Sequence, residues 1–156
     1  MPKRIQIDLN GVSAVVVLLE EAAPRTCRAL WQALEKPART KGIHAKWAGR
    51  MILTYLEKEN QVFDPTQIGQ ENATVFPQPG DIIWVWFPPG ETNTNPPDGG
   101  WDVSIIYGPE TRAFIPTGWQ PLNVWAQVTE GLPALAAECA KLQLEGAREV
   151  VFRRLE

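Results

Sequence analysis

Histidine occurs once, as His44, and cysteine only twice, as Cys27 and Cys139. One imidazole and two distant thiols match no zinc-ligand spacing, so no metal or cofactor is expected. Two cysteines in a chain read as cytosolic predict buried, reduced thiols rather than a disulfide. A basic excess is lacking too: 15 Lys and Arg stand against 18 Asp and Glu, for a net charge of -3. That excludes a nucleic-acid surface and a polybasic membrane anchor. Long hydrophobic runs are absent; the longest, VSAVVVLL at 12–19, is too short to span a bilayer. The start, MPKRIQIDLN, turns polar before any such run and is neither a signal nor a transit peptide. The expectation is a cytoplasmic protein. There is no glycine-rich phosphate loop, serine elbow, internal repeat or linker. A length of 156 residues therefore reads as a single domain, 1–156.

What is plentiful is tryptophan, at seven, and proline, at fourteen. Tryptophan fills cores and lines clefts; many prolines suggest a β-rich domain with stiffened loops. RIQIDL alternates as a strand, and Asn10-Gly11 signals a hairpin into GVSAVVVLLEE. Pro24 fits the first turn of a helix whose stripe is Cys27, Leu30, Trp31 and Leu34 and which should end near Lys36. Strands follow over IHAKWAGRMILTYLE, DIIWVWF, DVSIIYG and LNVWAQVTEG, with a short strand and turn in RAFIPTGWQP. QVFDPTQIGQENATVFPQPG reads as loop with a short extended piece, and PPGETNTNPPDGGW as a stiff polar loop. A second helix, LPALAAECAKLQLEG, carries the stripe Leu132, Leu135, Ala136, Cys139 and Leu142, with Gly146 as C-cap. AREVVFRRLE is a final strand. Hairpins rather than crossover helices link the strands. The fold class is mostly β, a closed antiparallel barrel with two capping α-helices.

Three stretches carry a resemblance. VVLLEEAAPRTCRALWQAL resembles the strand-then-helix segment of cyclophilins, HAKWAGRM their histidine-bearing strand, and VWAQVTEGLPALAAECAKL their penultimate strand, turn and second helix. APRTCRAL, HAKWAGR, PGDIIW and IIYG, in that order, more closely resemble the small bacterial cyclophilin-like domains of unassigned activity. The resemblance implies a cyclophilin-like barrel with its cleft on the outer face of the sheet. It places Trp119 near the cyclophilin pocket tryptophan, and DVSIIYG where cyclophilins have a phenylalanine-rich pocket strand. The cyclophilin arginine that follows the histidine is matched by Ala45.

Period two through residues 43–50 puts Ile43, Ala45, Trp47 and Gly49 on an inward face and His44, Lys46, Ala48 and Arg50 on an outward one. The outward set is either a wet strand face or part of a cleft, where Arg50 would hold a carboxylate or other planar anion and His44 would act near neutral pH. In LNVWAQVTE, Val124, Ala126 and Val128 should face in, and Asn123, Trp125, Gln127 and Thr129 out. In DIIWVWF both faces are apolar, which asks for cover from the 88–100 loop or a second subunit. Glu20-Glu21 suits the start of the first helix. The ligand-binding candidates are His44, Arg50, Trp84, Trp86, Trp101, Trp119 and Trp125, forming an aromatic cleft for a small anionic or amide-bearing ligand, in a binding protein or a metabolic enzyme. Two alternatives stand beside this: a prolyl isomerase with a displaced arginine, and a non-catalytic oligomeric scaffold. A homo-oligomer is expected, with no nucleic-acid or membrane partner.

Overall fold

The computed structural model describes residues 1–91 and 96–155. The chain opens with a hairpin of β1 (Arg4–Leu9) and β2 (Val12–Leu18). Asn10 (φ 51°) and Gly11 (φ 79°) both take left-handed backbone, which matches the right-handed twist of the two strands. Helix α1 (Pro24–Ala33) follows, then β3 (Ala38–His44), β4 (Met51–Leu53) and the short β5 (Ala73–Thr74). β6 (Asp81–Phe87) and β7 (Gly100–Ile106) pair along nearly their whole lengths. A small ribbon of β8 (Phe114–Ile115) and β9 (Gly118–Trp119) precedes β10 (Leu122–Glu130), α2 (Leu132–Glu145) and β11 (Arg148–Leu155). The sheet runs β2-β1-β11-β3-β4-β7-β6-β10, and β10 pairs back onto β2. This closes an eight-stranded antiparallel barrel, while β5 adds to the end of β10. The two helices bury Cys27 and Leu30, and Leu135, Cys139 and Leu142, in the main core. Among the described residues no helix is long and apolar enough to cross a membrane.

The helix starts are built by distant residues. Ala23, at the N-cap of α1, offers no side-chain bond. Glu71, 45 residues beyond Thr26, supplies it, accepting from the backbone N–H groups of Arg25 and Thr26, both at 3.0 Å, and from the Thr26 hydroxyl. Glu20 instead pairs with Lys3. The helix also stops at Ala33, short of Lys36, where the Asn60 amide donates to the carbonyls of Ala33 (2.9 Å) and Lys36 (3.0 Å).

Three face assignments change. β3 begins at Ala38 and ends at His44, so Ala38, Thr40, Gly42 and His44 are the buried set and Ile43 is exposed. The chain then leaves the sheet, period two no longer applies, and Trp47 stands 65% exposed instead of inward. In β10 the register against β6 shifts between Val124 and Ala126. That bulge returns Trp125 to the core, fully buried, and leaves Val124 on the outer side. Both faces of β6 are covered, as its composition asks: Ile82 and Trp84 lie in the barrel core, Ile83, Val85 and Phe87 under a second cluster. The cover comes from segments 45–50 and 107–121, which supply Ala45, Ala48, Ala113 and Ile115. Residues 92–95 of the expected 88–100 loop lie outside the described residues.

Candidate functional site: an apolar cleft with a buried acid

Four neighbouring strands, β4, β7, β6 and β10, present their outer faces to the two covering segments. Met51 and Leu53 come from β4, Ile83, Val85 and Phe87 from β6, and Leu122 from β10. Their alternation with inward Ile52, Trp84 and Ile82 is the ordinary period of a strand. The covering segments are tied to each other and to the sheet. Arg112 N–H donates to the Ala48 carbonyl at 2.9 Å, Tyr107 N–H to the Arg50 carbonyl at 3.0 Å and Ala113 N–H to the Val75 carbonyl at 2.8 Å. Gly49 permits the approach: its φ is +90°, and a Cβ there would sit 2.9 Å from the Glu110 carbonyl oxygen. Between cover and sheet a partly open cleft of about 70 Å³ remains, room for a small ring or a branched aliphatic group. Trp47 and Phe114 stand at its edge. Phe114 meets Trp119, 55% exposed, at a ring distance of 5.0 Å, and Trp119 meets Phe76 at 5.6 Å. The cleft is thus rimmed by a run of exposed aromatic side chains.

One acid lines this apolar space. Asp102, on β7, is 5% exposed and pairs with Val85 on one side and Tyr55 on the other. Asp102 and Ser104 share the outer face of β7, and the Ser104 hydroxyl donates to Asp102 Oδ1. Burial raises the Asp102 carboxyl to about 7, against the opposing pull of the Ser104 hydrogen bond. Burial and the nearby Asp102 charge also raise the Tyr55 phenol. Lys46 lines the cleft from the 45–50 segment and is exposed to solvent.

The seven sequence candidates do not converge on this cleft. His44 is buried, with Nδ1 donating to the Ala45 carbonyl (2.8 Å) and Nε2 accepting from the Tyr107 hydroxyl (2.7 Å). The carbonyl can only accept, which assigns the ring proton to Nδ1 when the imidazole is neutral. Arg50 directs its guanidinium to the Pro109 carbonyl at 2.9 Å and lays its methylenes along Gly108, clamping the covering segments together. Trp84 and Trp101 belong to the core with Phe63, at ring distances of 5.4 Å and 4.9 Å from it. Trp84 and the half-buried Trp86 also edge a separate groove of about 320 Å³ beside Gln70, Gln120 and Asn123. The Asn123 amide there accepts from Glu71 N–H and donates to the Thr26 hydroxyl and the Gly69 carbonyl. Trp125 sits in the core. Only Trp119 reaches the surroundings of the cleft, on its aromatic rim. The residue that sequence reasoning missed is Asp102. Its signal was present: Asp102 and Ser104 form a polar i, i+2 pair on a strand otherwise apolar on both faces.

The sequence pattern of one family spans residues 5–153 of the chain. The chain belongs to the DUF3830 family. Its description is that of a protein of unknown function. No curated protein matches the chain. Among solved structures, McbB in complex with tryptophan matches 96% of the chain at TM-score 0.65 and 19% identity, and the chain spans 44% of that protein. A hypothetical protein of Archaeoglobus fulgidus matches 99% of the chain and 95% of its own length, at 0.57 and 20%. A cyclophilin-type peptidyl-prolyl cis-trans isomerase of Cryptosporidium parvum matches all of the chain and 99% of its own length, at 0.55 and 11%. The DUF3830 chain therefore has a cyclophilin-like barrel, the fold that its strand order and motifs resemble.

Proposed function

We propose that the protein binds a small molecule whose apolar ring or branched group enters the outer-face cleft and whose proton-bearing polar group, an amide or amine N–H, meets Asp102. The observation that carries this reading is a lone buried carboxyl in a partly open cleft whose lining, the exposed Lys46 apart, is otherwise apolar. Such a site suits a donor or a cation better than an anion. The anion anchor expected from Arg50 is not in the cleft, since that guanidinium bonds the Pro109 carbonyl, and the cation that does line the cleft, Lys46, is exposed to solvent. McbB, of similar fold, was solved with tryptophan, a ligand with an aromatic body and N–H groups, which supports the reading by analogy of fold only.

The test is calorimetric titration with benzamide and benzylamine. Asp102→Asn should weaken binding by about tenfold or more, the range of a hydrogen bond to a charged group. Ala113→Leu, which fills the cleft from its cover, should abolish it while the protein still melts cooperatively. Saturable binding that ignores both substitutions would place the ligand elsewhere.

A further inference from the structure

We infer that the outer-face cleft is a base-catalytic site, in which the Asp102 carboxylate removes a proton from a carbon acid held by the apolar walls. This rests on the cleft reading above and goes beyond binding. Three features support it. First, among the described residues no Lys or Arg forms an ion pair with Asp102; burial disfavours its ionised form and the Ser104 hydrogen bond favours it. A buried acid without a counter-ion is costly to a fold and has no structural use here that an amide would not serve. Second, Leu53, Val85 and Phe87 line the same cleft around it. A carboxylate stripped of water in such walls is a stronger base than one in solution. Third, the Ser104 hydroxyl donates to its Oδ1, which restrains the carboxyl and leaves Oδ2 as the base.

The groups facing Asp102 are few. β7 supplies Ser104, the continuation of β4 supplies Tyr55, and β6 supplies only apolar side chains. The 45–50 segment brings Lys46 to the cleft, and the 107–121 segment brings Ala113, Phe114 and Ile115. In the step itself the ligand C–H bond breaks, its proton passes to Asp102, and its electron pair moves into the ligand toward a carbonyl or a leaving oxygen. Return of the proton to the ligand or to water restores the carboxylate. No oxidant or co-reactant is required.

The probe is 5-nitrobenzisoxazole. A base removes its C3 proton, the C–N bond becomes a nitrile, the N–O bond breaks, and a coloured nitrophenolate is released. The purified full chain should release it with saturation, at about 100-fold or more above the rate of acetate at equal concentration and pH. The rate should rise as Asp102 ionises. Asp102→Asn should fall to the buffer rate. Ser104→Ala, which keeps the base, should retain part of the rate and move its pH midpoint upward, because the bond that favours the ionised form is gone. Probe binding is read separately from quenching that disappears in Trp47→Phe. Binding without turnover would overturn the base and leave the cleft reading intact. Absence of turnover together with no binding of either the probe or benzylamine would overturn both, and turnover that survives Asp102→Asn would remove Asp102 from the step.

Discussion

A side chain's role here follows from what its polar atoms meet. His44 attracts notice as the lone histidine, but both ring nitrogens are bonded inside the protein. Tyr107→Phe removes the hydroxyl that reaches Nε2 and leaves a buried acceptor bare. It should cost about 1–3 kcal/mol, seen as a lower denaturant midpoint with an unchanged slope. An unchanged midpoint would mean that water or another donor takes over. The two thiols are similarly quiet. Cys27 and Cys139 are buried, free, and pushed up to about 12 chiefly by burial, so neither is a ready thiolate. Asp102 differs from all of these: it lines a partly open cleft, bonded to the Ser104 hydroxyl and set among mostly apolar walls.

At the level of elements, the ends of strands and helices are set by residues far away in sequence. The start of α1 depends on Glu71, whose carboxylate meets two backbone N–H groups and the Arg25 side chain at 3.2 Å. Glu71→Ala should destabilise the protein by about 2 kcal/mol, the upper range for a lost N-cap. Amide exchange in the first turn of α1 should accelerate more than in α2. Equal exchange in both helices would show that the cap is dispensable. The loop that carries Glu71 also binds β10 through Asn123, so the helix and the barrel wall share one set of polar contacts. Period-two reading failed where an element ended or bulged: β3 stops at His44, and β10 shifts register. Neither event has a local marker strong enough to override the strand pattern.

Over the whole molecule, stability should depend on pH in two opposite ways. Asp102 keeps a proton in the folded state that the unfolded chain releases near the ordinary aspartate value of 3.8. Its contribution is full below that value and is lost as pH rises through about 7. Asp8 and Glu20 act oppositely. Burial opposes the ionised Asp8, but hydrogen bonds from Ser13, Gln6 and Arg153 outweigh it; Glu20 is held low by hydrogen bonds from Lys3. Their contributions are present above the unfolded carboxylate range and are lost as pH falls through their lowered values. Because proton binding and folding are linked in this way, the melting temperature should peak in mildly acid solution and decline toward pH 8. Asp102→Asn should flatten the decline, by up to about 4 kcal/mol at the ~1.4 kcal/mol that each pKa unit carries. Parallel curves for wild type and variant would mean that the Asp102 carboxyl is hydrated in the fold.

Composition and pattern alone determined the strand-rich class, the first hairpin and the two helices. Those depend on nearest neighbours: Asn-Gly for the turn, apolar spacing for the stripes, proline in the first helical turn. The order of the elements, with the quoted motifs, was enough to resemble the cyclophilin-like barrel. Barrel closure by β10 on β2, the covering segments and the site were decided by tertiary structure. Asp102 acquires its character only because β4, β6 and β7 lie side by side and residues 45–50 and 107–121 fold over them. Desolvation is a property of the space around a side chain, and that space is assembled from segments dozens of residues apart.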